Sequence, residues 1–308
     1  MRTLLCPTLL AALFVAPPKA PVHEGVELRW RGHAGDVLRL RLTMAQTMTN
    51  SMMPEPFETE SAMVMRQEVE EVSADGVGSL DVAYEAIRMK GSGPAALDYD
   101  STRTEEAAQA NDPTLAAMFE PLLEADVHMK IAPSGRILEI GGLEHAFDGM
   151  EAAAPGMGKT FEGMFGGESL KRMLEVNVFP EKELVAGDTW QREITLEAPM
   201  LGTMTLRFEN TLEGTETRGT TECARIGVSG SMELGEADPA SPVKVTLDDS
   251  SFSGTMFLAL ENGFLVESTM ETSMTLAMDL PSGGQGMTMD MEMRQVMVRI
   301  GAQDPLFE

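Results

Sequence analysis

Aromatic residues make up only 5% of this 308-residue chain, so the rings that fill most protein interiors are scarce. Methionine stands in their place with 26 residues, an unbranched and polarizable side chain that fills irregular space. Cysteine is almost absent. Of the two, Cys6 lies in the extreme N-terminus, and if that segment is removed Cys223 is alone and no intramolecular disulfide can form. Positive charge is also short, with 23 Lys and Arg against 49 Asp and Glu and a net charge of −26. So acidic a surface repels nucleic-acid phosphates and anionic lipid headgroups, which excludes nucleic acid as a partner. Four histidines, His23, His33, His128 and His145, show no metal-ligand spacing. Past the N-terminus no apolar run is long enough to cross a bilayer as a helix, so no transmembrane segment is expected in the mature chain.

What is present begins with "MRTLLCPTLLAALFVAPPKAP". One Arg, an apolar run from Leu4 to Ala16, then small residues and prolines give the layout of a secretory signal. Residues 1–20 are therefore expected to be removed on export to the periplasm or beyond. Cys6 lies too early for a lipid-attachment site.

The rest alternates. From Leu38 to Met52 the even positions are mainly Leu and Met while the odd ones are mainly Arg, Thr, Ala and Ser, the pattern of a strand with one buried face. Phe57 to Val72 returns with Met63, Met65 and Val69 in one phase. Met204, Leu206, Phe208 and Leu212 share a phase later in the chain, and Asn262-Gly263 marks a tight turn between two further strands. Three segments recur in the same order. "AGDVLRLRLTM" from Ala34 matches "AGDTWQREITL" from Ala186, "MVMRQEVEEV" from Met63 matches "MTLRFENTLE" from Met204, and "PSGRILEI" from Pro133 matches "ENGFLVES" from Glu261. This reads as an internal duplication, with an N-terminal half over 24–176 and a C-terminal half over 177–308.

Between about 103 and 176 strand patterning survives only around Val127–Ile140. "DPTLAAMFEPLLEA" opens with a capping Asp and a Pro at the first helical position, and "LEHAFDGMEAAA" and "ESLKRMLEVNVF" are also read as short helices. The expected fold is mainly β, of the α+β class: two related antiparallel halves forming a twisted sheet or half-barrel, with a helical insert in the middle.

"FPEKELVAGDTW" (Phe179–Trp190) and "YDST" (Tyr99–Thr102) resemble a domain-of-unknown-function family of exported bacterial proteins that carries a Pro-x-x-x-Val-x-x-Gly-Asp-x-Trp stretch, here with Leu184 in place of Val. The resemblance implies a tight turn at Gly187-Asp188 feeding a strand whose Trp190 enters the core; it implies no activity. More loosely, the architecture resembles the half-barrels that ferry lipids or lipoproteins through bacterial envelopes.

No enzyme signature is found, and no cofactor is called for. "AAPGMGKT" (Ala153–Thr160) fits a loose phosphate-loop pattern, but a helical, polar segment precedes it where a buried strand is required. It reads as a loop. No nucleophile elbow occurs.

The strongest pattern is "GMTMDMEMRQVMVRI", with Met287, Met289, Met291, Met293 and Met297 at alternate positions or in phase with them. "TMETSMTLAMDL" places Met270, Met274, Leu276, Met278 and Leu280 on one face as well. Setting Leu280 opposite Met287 puts Met278 across from Met289, Leu276 from Met291, Met274 from Met293 and Met270 from Met297, so one register aligns both faces. Beyond Gln295 the apolar phase moves to Val296, Val298 and Ile300, which predicts a bulge or burial of both faces. Three readings of the methionine face remain open: ordinary core packing in a structural or protein-interaction module, a wall for an apolar, lipid-like ligand, or thioether coordination of Cu(I). Export is testable at once: fractionation of the native host should recover a shortened protein outside the cytosol, and full-length protein confined to the cytosol would refute it.

Overall fold

The computed structural model describes residues 25–93, 96–153, 155–175, 178–198, 202–235, 244–279 and 286–307; the expected signal at 1–20 lies outside them. Twelve strands form one open antiparallel sheet in the order β6-β5-β3-β2-β1-β12-β11-β10-β9-β8-β7, with β4 (Leu97–Asp100) paired beside β3. The strands at its middle are long: β1 (Val37–Asn50), β2 (Met53–Val72), β3 (Gly78–Ser92), β10 (Lys244–Ala259), β11 (Leu265–Asp279) and β12 (Met287–Arg299). Those near the second edge are β7 (Thr189–Ala198), β8 (Gly202–Arg218) and β9 (Thr221–Leu234), while the first edge is the short hairpin β5 (Val127–Ile131) and β6 (Ile137–Gly141).

The mainly β fold with a helical middle is what the alternation foretold. Around the β5–β6 hairpin lie α1 (Glu105–Ala108), α2 (Pro113–Leu123), α3 (Glu144–Ala153), α4 (Met157–Phe165) and α5 (Gly167–Leu174). Asp112 caps α2, its carboxylate accepting from the Thr114 N–H at 2.8 Å and the Leu115 N–H at 3.1 Å, which satisfies donors that a helix start leaves unpaired. Met118 and Leu122 of α2, Phe147 and Met150 of α3, Phe161 of α4 and Leu170 of α5 join the largest apolar cluster. Helix α5 touches both edge strands, β6 and β7. The sheet therefore curls until one helix reaches both of its edges, which shields backbone groups that an edge otherwise presents for pairing.

The two Ala-Gly-Asp segments fold alike. Gly35 and Gly187 hold φ of 89° and 97°, a conformation that favours glycine. The Gly35 N–H donates to Val69 O at 2.7 Å and the Gly187 N–H to Leu212 O at 2.7 Å. In each turn the aspartate carboxylate accepts a backbone N–H three residues upstream, from His33 at 2.8 Å and from Val185 at 3.0 Å. Trp190 then packs into a second cluster with Leu184, Leu212, Ile226 and Leu258.

One end of the curled sheet is closed by the segment before β1. Val26 and Leu184 exchange backbone bonds of 2.7 and 2.9 Å, the Trp30 N–H donates to Pro133 O at 2.8 Å and the Arg31 N–H to Asn262 O at 2.8 Å. Trp30 lies inside this closure, 6.2 Å from Phe264 between ring centroids. Its ring rests on Gly78, where an added Cβ would meet Trp30 Cη2 at 2.1 Å. Gly78→Ala should accordingly lower stability by about 1–3 kcal/mol in urea or thermal unfolding, as overpacking does. Gly163 in α4 has nothing within 4 Å of such a Cβ, so Gly163→Ala should be neutral or stabilise by about 0.5–1 kcal/mol through helix propensity.

Candidate functional site

The methionine face is built by register. Met274 of β11 sits opposite Met291 of β12, and Met291 sits opposite Met48 of β1, so three thioethers lie in a row across three strands. The next pairs toward the strand ends are Leu276 with Met289 and Met278 with Met287; on the other side come Thr272 with Met293, Met270 with Gln295 and Ser268 with Met297. All eight residues singled out in the sequence, Met270, Met274, Leu276, Met278, Met289, Met291, Met293 and Met297, therefore share one face. The pairing itself differs from expectation by two residues: Met278 faces Met287, not Met289. A shift of two preserves the face, so the buried pattern cannot choose between these registers. The outer face can. Thr275 donates to Asp290 Oδ1 at 2.7 Å and Arg294 lies 3.7 Å from Glu271, both pairs directly opposite in the observed register. Leu280, the proposed partner of Met287, is outside the described residues.

The change of phase after Gln295 is burial of both faces, since β12 runs without a bulge against both neighbours. Val298 and Ile300 pack outward with Val64, Ala86, Leu306 and Phe307. The chain end itself covers that outer patch: Arg39 and Arg41 donate to the Ala302 and Pro305 carbonyls at 3.3 and 3.2 Å, and Arg88 lies 4.3 Å from the Phe307 ring centroid.

Sequence reasoning missed four contributors to the inner face, two carried there by the pairing of the distant strands β1 and β12 and two by the strands beyond β11. Met48 and Met44 of β1 join it opposite Met291 and Gln295. On the other side Phe252 of β10 lies opposite Thr272, and Phe208 opposite Gly230. The two phenyl rings meet over that glycine with centroids 4.6 Å apart. Alternation in β1 and β8 was the available signal; which strand would lie beside which was not.

Covering is uneven. Met297 packs against the first apolar cluster and Met270 against the second. Met274, Met278, Met289, Met291 and Met293 belong to no cluster of described residues and are half-buried, while Leu276 is 9% exposed. The principal helix contacts fall on β3, β4, β6 and β7, away from β11, β12 and β1. Two hollows of about 630 and 560 Å³ lie elsewhere, at the closed end, the first beside Leu212, Glu216 and Glu222 and the second beside Trp30, His33 and Asp75.

Other candidates resolve simply. In the phosphate-loop-like stretch the backbone N–H groups of Gly156 and Lys159 donate to the Glu151 carboxylate at 3.0 and 3.3 Å, so a side chain fills the place of a phosphate and holds that carboxyl below its usual pKa. Among the described residues no group of three His, Cys, Asp or Glu could hold a metal. Cys223 is free and buried, and burial pushes its thiol up. No helix of the described residues is long and apolar enough to cross a membrane.

Fold and face together define an open, one-sided β-sheet wrapped against helices, with a soft apolar lining. The chain belongs to DUF6263, a family of unknown function whose match runs over residues 75–265, covering both the Tyr99 and the Gly-Asp-x-Trp segments. No curated protein matches the chain. Among solved structures, lipovitellin, described for its lipid–protein interactions, is similar at 12% identity over 87% of this chain and 25% of that one, with a TM-score of 0.43. The chain thus spans about a quarter of the lipovitellin chain. DynF of the dynemicin biosynthesis pathway of Micromonospora chersina aligns over 94% of this chain and 95% of its own at 8% identity and a TM-score of 0.23. A DUF1329 family protein from Desulfovibrio piger aligns over 88% and 90% at 8% identity and a TM-score of 0.15.

Electrostatics yields a test on the outer face. Glu70 has its pKa raised above the ordinary 4.5 by a hydrogen bond shared with Asp81, by that carboxylate's charge, and by Glu68 and Asp126. A raised folded pKa favours the protonated form in the folded state, so its stabilisation is full below the unfolded value and is lost as pH rises through the folded one. Glu70→Gln should raise the melting temperature at about pH 7 and leave it unchanged at about pH 3, well below the ordinary 4.5, where Glu70 is protonated folded or unfolded.

Proposed function

We propose that this protein is an exported, non-enzymatic binder of an apolar, lipid-like ligand, held on the methionine face. One observation carries the reading: five methionines at the centre of a continuous inner wall are half-buried and packed into no apolar cluster of described residues. Apolar surface left in this state favours an apolar partner. Methionine suits a ligand of variable shape, because an unbranched thioether adjusts its torsions at little cost while a branched side chain does not.

The row Met274–Met291–Met48 favours a second reading, coordination of Cu(I) by thioethers. A structural or protein-interaction module with a solid interior is the remaining alternative.

Native mass spectrometry of protein purified from its own host, under conditions that retain lipids and metals, separates the three. The expected result is a co-purifying acyl species. Stoichiometric copper would instead favour the thioether site. Met274→Asp and Met291→Asp add the control: in an accessible wall water reaches the charge, so both variants should fold as the parent does and lose only ligand. In a solid core each would bury an unpaired carboxylate at a cost that unfolds the protein. Unfolding of both variants together with bare native protein would overturn the carrier reading.

A further inference from the structure

Two hydrogen-bond donors stand within this apolar wall without the partners that their chemistry calls for. Asn210 lies on the inner face of β8 between Phe208 and Leu212; it is 2% exposed, and its Nδ2 has no partner among the described residues. A buried amide left in this state is rare. Arg192 is on the same face of the neighbouring strand β7. Its Nε and Nη2 donate to Val178 O at 3.1 and 2.9 Å and its Nη1 to Gln191 O at 3.3 Å. All of these acceptors are neutral carbonyls. No carboxylate pairs with Arg192 among the described residues, in a chain with 49 acidic side chains.

Register brings the two together. Trp190 is opposite Asn210 and Arg192 is opposite Phe208, so Arg192 and Asn210 are diagonal neighbours across β7 and β8. The pairing then continues from Arg192 along one line: Phe208, Gly230, Phe252, Thr272 and Met293. From Asn210 a parallel line runs through Val228, Gly254 and Met270 to Gln295. The donors thus stand at one margin of a floor that is almost wholly apolar until it reaches the methionines. Five strand spacings separate β7 from β12, roughly 24 Å at about 4.8 Å each.

We propose that Arg192 and Asn210 hold the carboxylate head of a long single-chain fatty acid, whose tail lies across Phe208 and Phe252 toward Met293. This rests on the apolar-carrier reading and names its ligand class. Both groups offer N–H donors, so the complement is an oxygen acceptor; a guanidinium matches a carboxylate in both charge and planar shape. The head supplies the acceptor that Asn210 lacks and the negative charge that Arg192 lacks. The tail covers the methionines left outside the apolar clusters.

Trp190, one of two tryptophans in the chain and directly opposite Asn210, makes intrinsic fluorescence a local reporter. Delipidated protein is titrated with palmitate and with hexadecanol, which share a tail and differ in the head. Palmitate should bind at least about ten-fold more tightly, as expected for a charge-assisted contact. Arg192→Gln and Asn210→Leu should each remove that preference by weakening palmitate binding far more than hexadecanol binding, and Arg192→Lys should retain part of it. Arg192 is half-buried, so its variant carries the test if the Asn210 variant fails to fold. Equal binding of both ligands, unaffected by Arg192→Gln, overturns the carboxylate anchor and leaves the carrier reading standing. Binding of neither ligand removes the carrier reading and the anchor together.

Discussion

An open sheet with one apolar face must find cover for that face and for two edges, and every other part of this molecule answers to that constraint. Water cannot be left against twelve strands' worth of apolar side chains, nor can unpaired edge groups be left free to recruit another chain. Helix α5 meets the edge requirement by touching β6 and β7 at once. Leu170 and Leu174 of that helix, with Phe147 and Met150 of α3, cover the face beside the first edge. The segment from Val26 to Arg31 covers one end, fixed by backbone bonds to Leu184, Pro133 and Asn262. What these pieces do not reach is the stretch of β11, β12 and β1 that carries the central methionines.

The outer face obeys opposite rules. Its charges are arranged across strands, as in Arg207 between Glu193 and Glu233, Arg225 near Glu213 and Glu216, and Arg39 with Glu85. Exposed pairs of this kind contribute little stability each, but they discriminate between registers that the apolar face treats as equal. Thr275 with Asp290 does so for the methionine hairpin. Soft, repetitive residues inside are thus held in place by specific polar pairs outside.

This division explains what could be read from the sequence. Alternation gave the strands and their faces, Asp112-Pro113 gave the start of α2, and Asn262-Gly263 gave a turn, because each signal is local. Helix α4 escaped notice because it begins within the Gly156–Lys159 stretch that resembled a phosphate loop, where the carboxylate of Glu151, just upstream in the chain, takes the N–H groups. The two-residue error in the methionine hairpin came from asking a period-two pattern to fix a register it leaves degenerate. Met48, Phe208 and Asn210 were hidden for a different reason: their importance depends on which strands become neighbours, and the order that puts β12 between β1 and β11 is a property of the whole chain.

The scarcity of rings then acquires a physical meaning. Trp30, Phe264 and Phe179 gather at the closed end, where hydrogen-bonded turns present fixed surfaces to rigid side chains. Phe208 and Phe252 meet over Gly230 because the glycine leaves room for one defined ring contact. A rigid ring is well matched to a rigid counter-surface, since it loses little conformational entropy and needs close complementarity. Toward β11, β12 and β1 no such fixed surface is supplied, and there methionine replaces the ring. A flexible side chain is the better choice wherever the opposing surface varies, because it can keep contact with more than one shape. The change from aromatic to thioether along a single sheet thus follows the change from side chains packed into the two large apolar clusters to side chains that, among the described residues, join none.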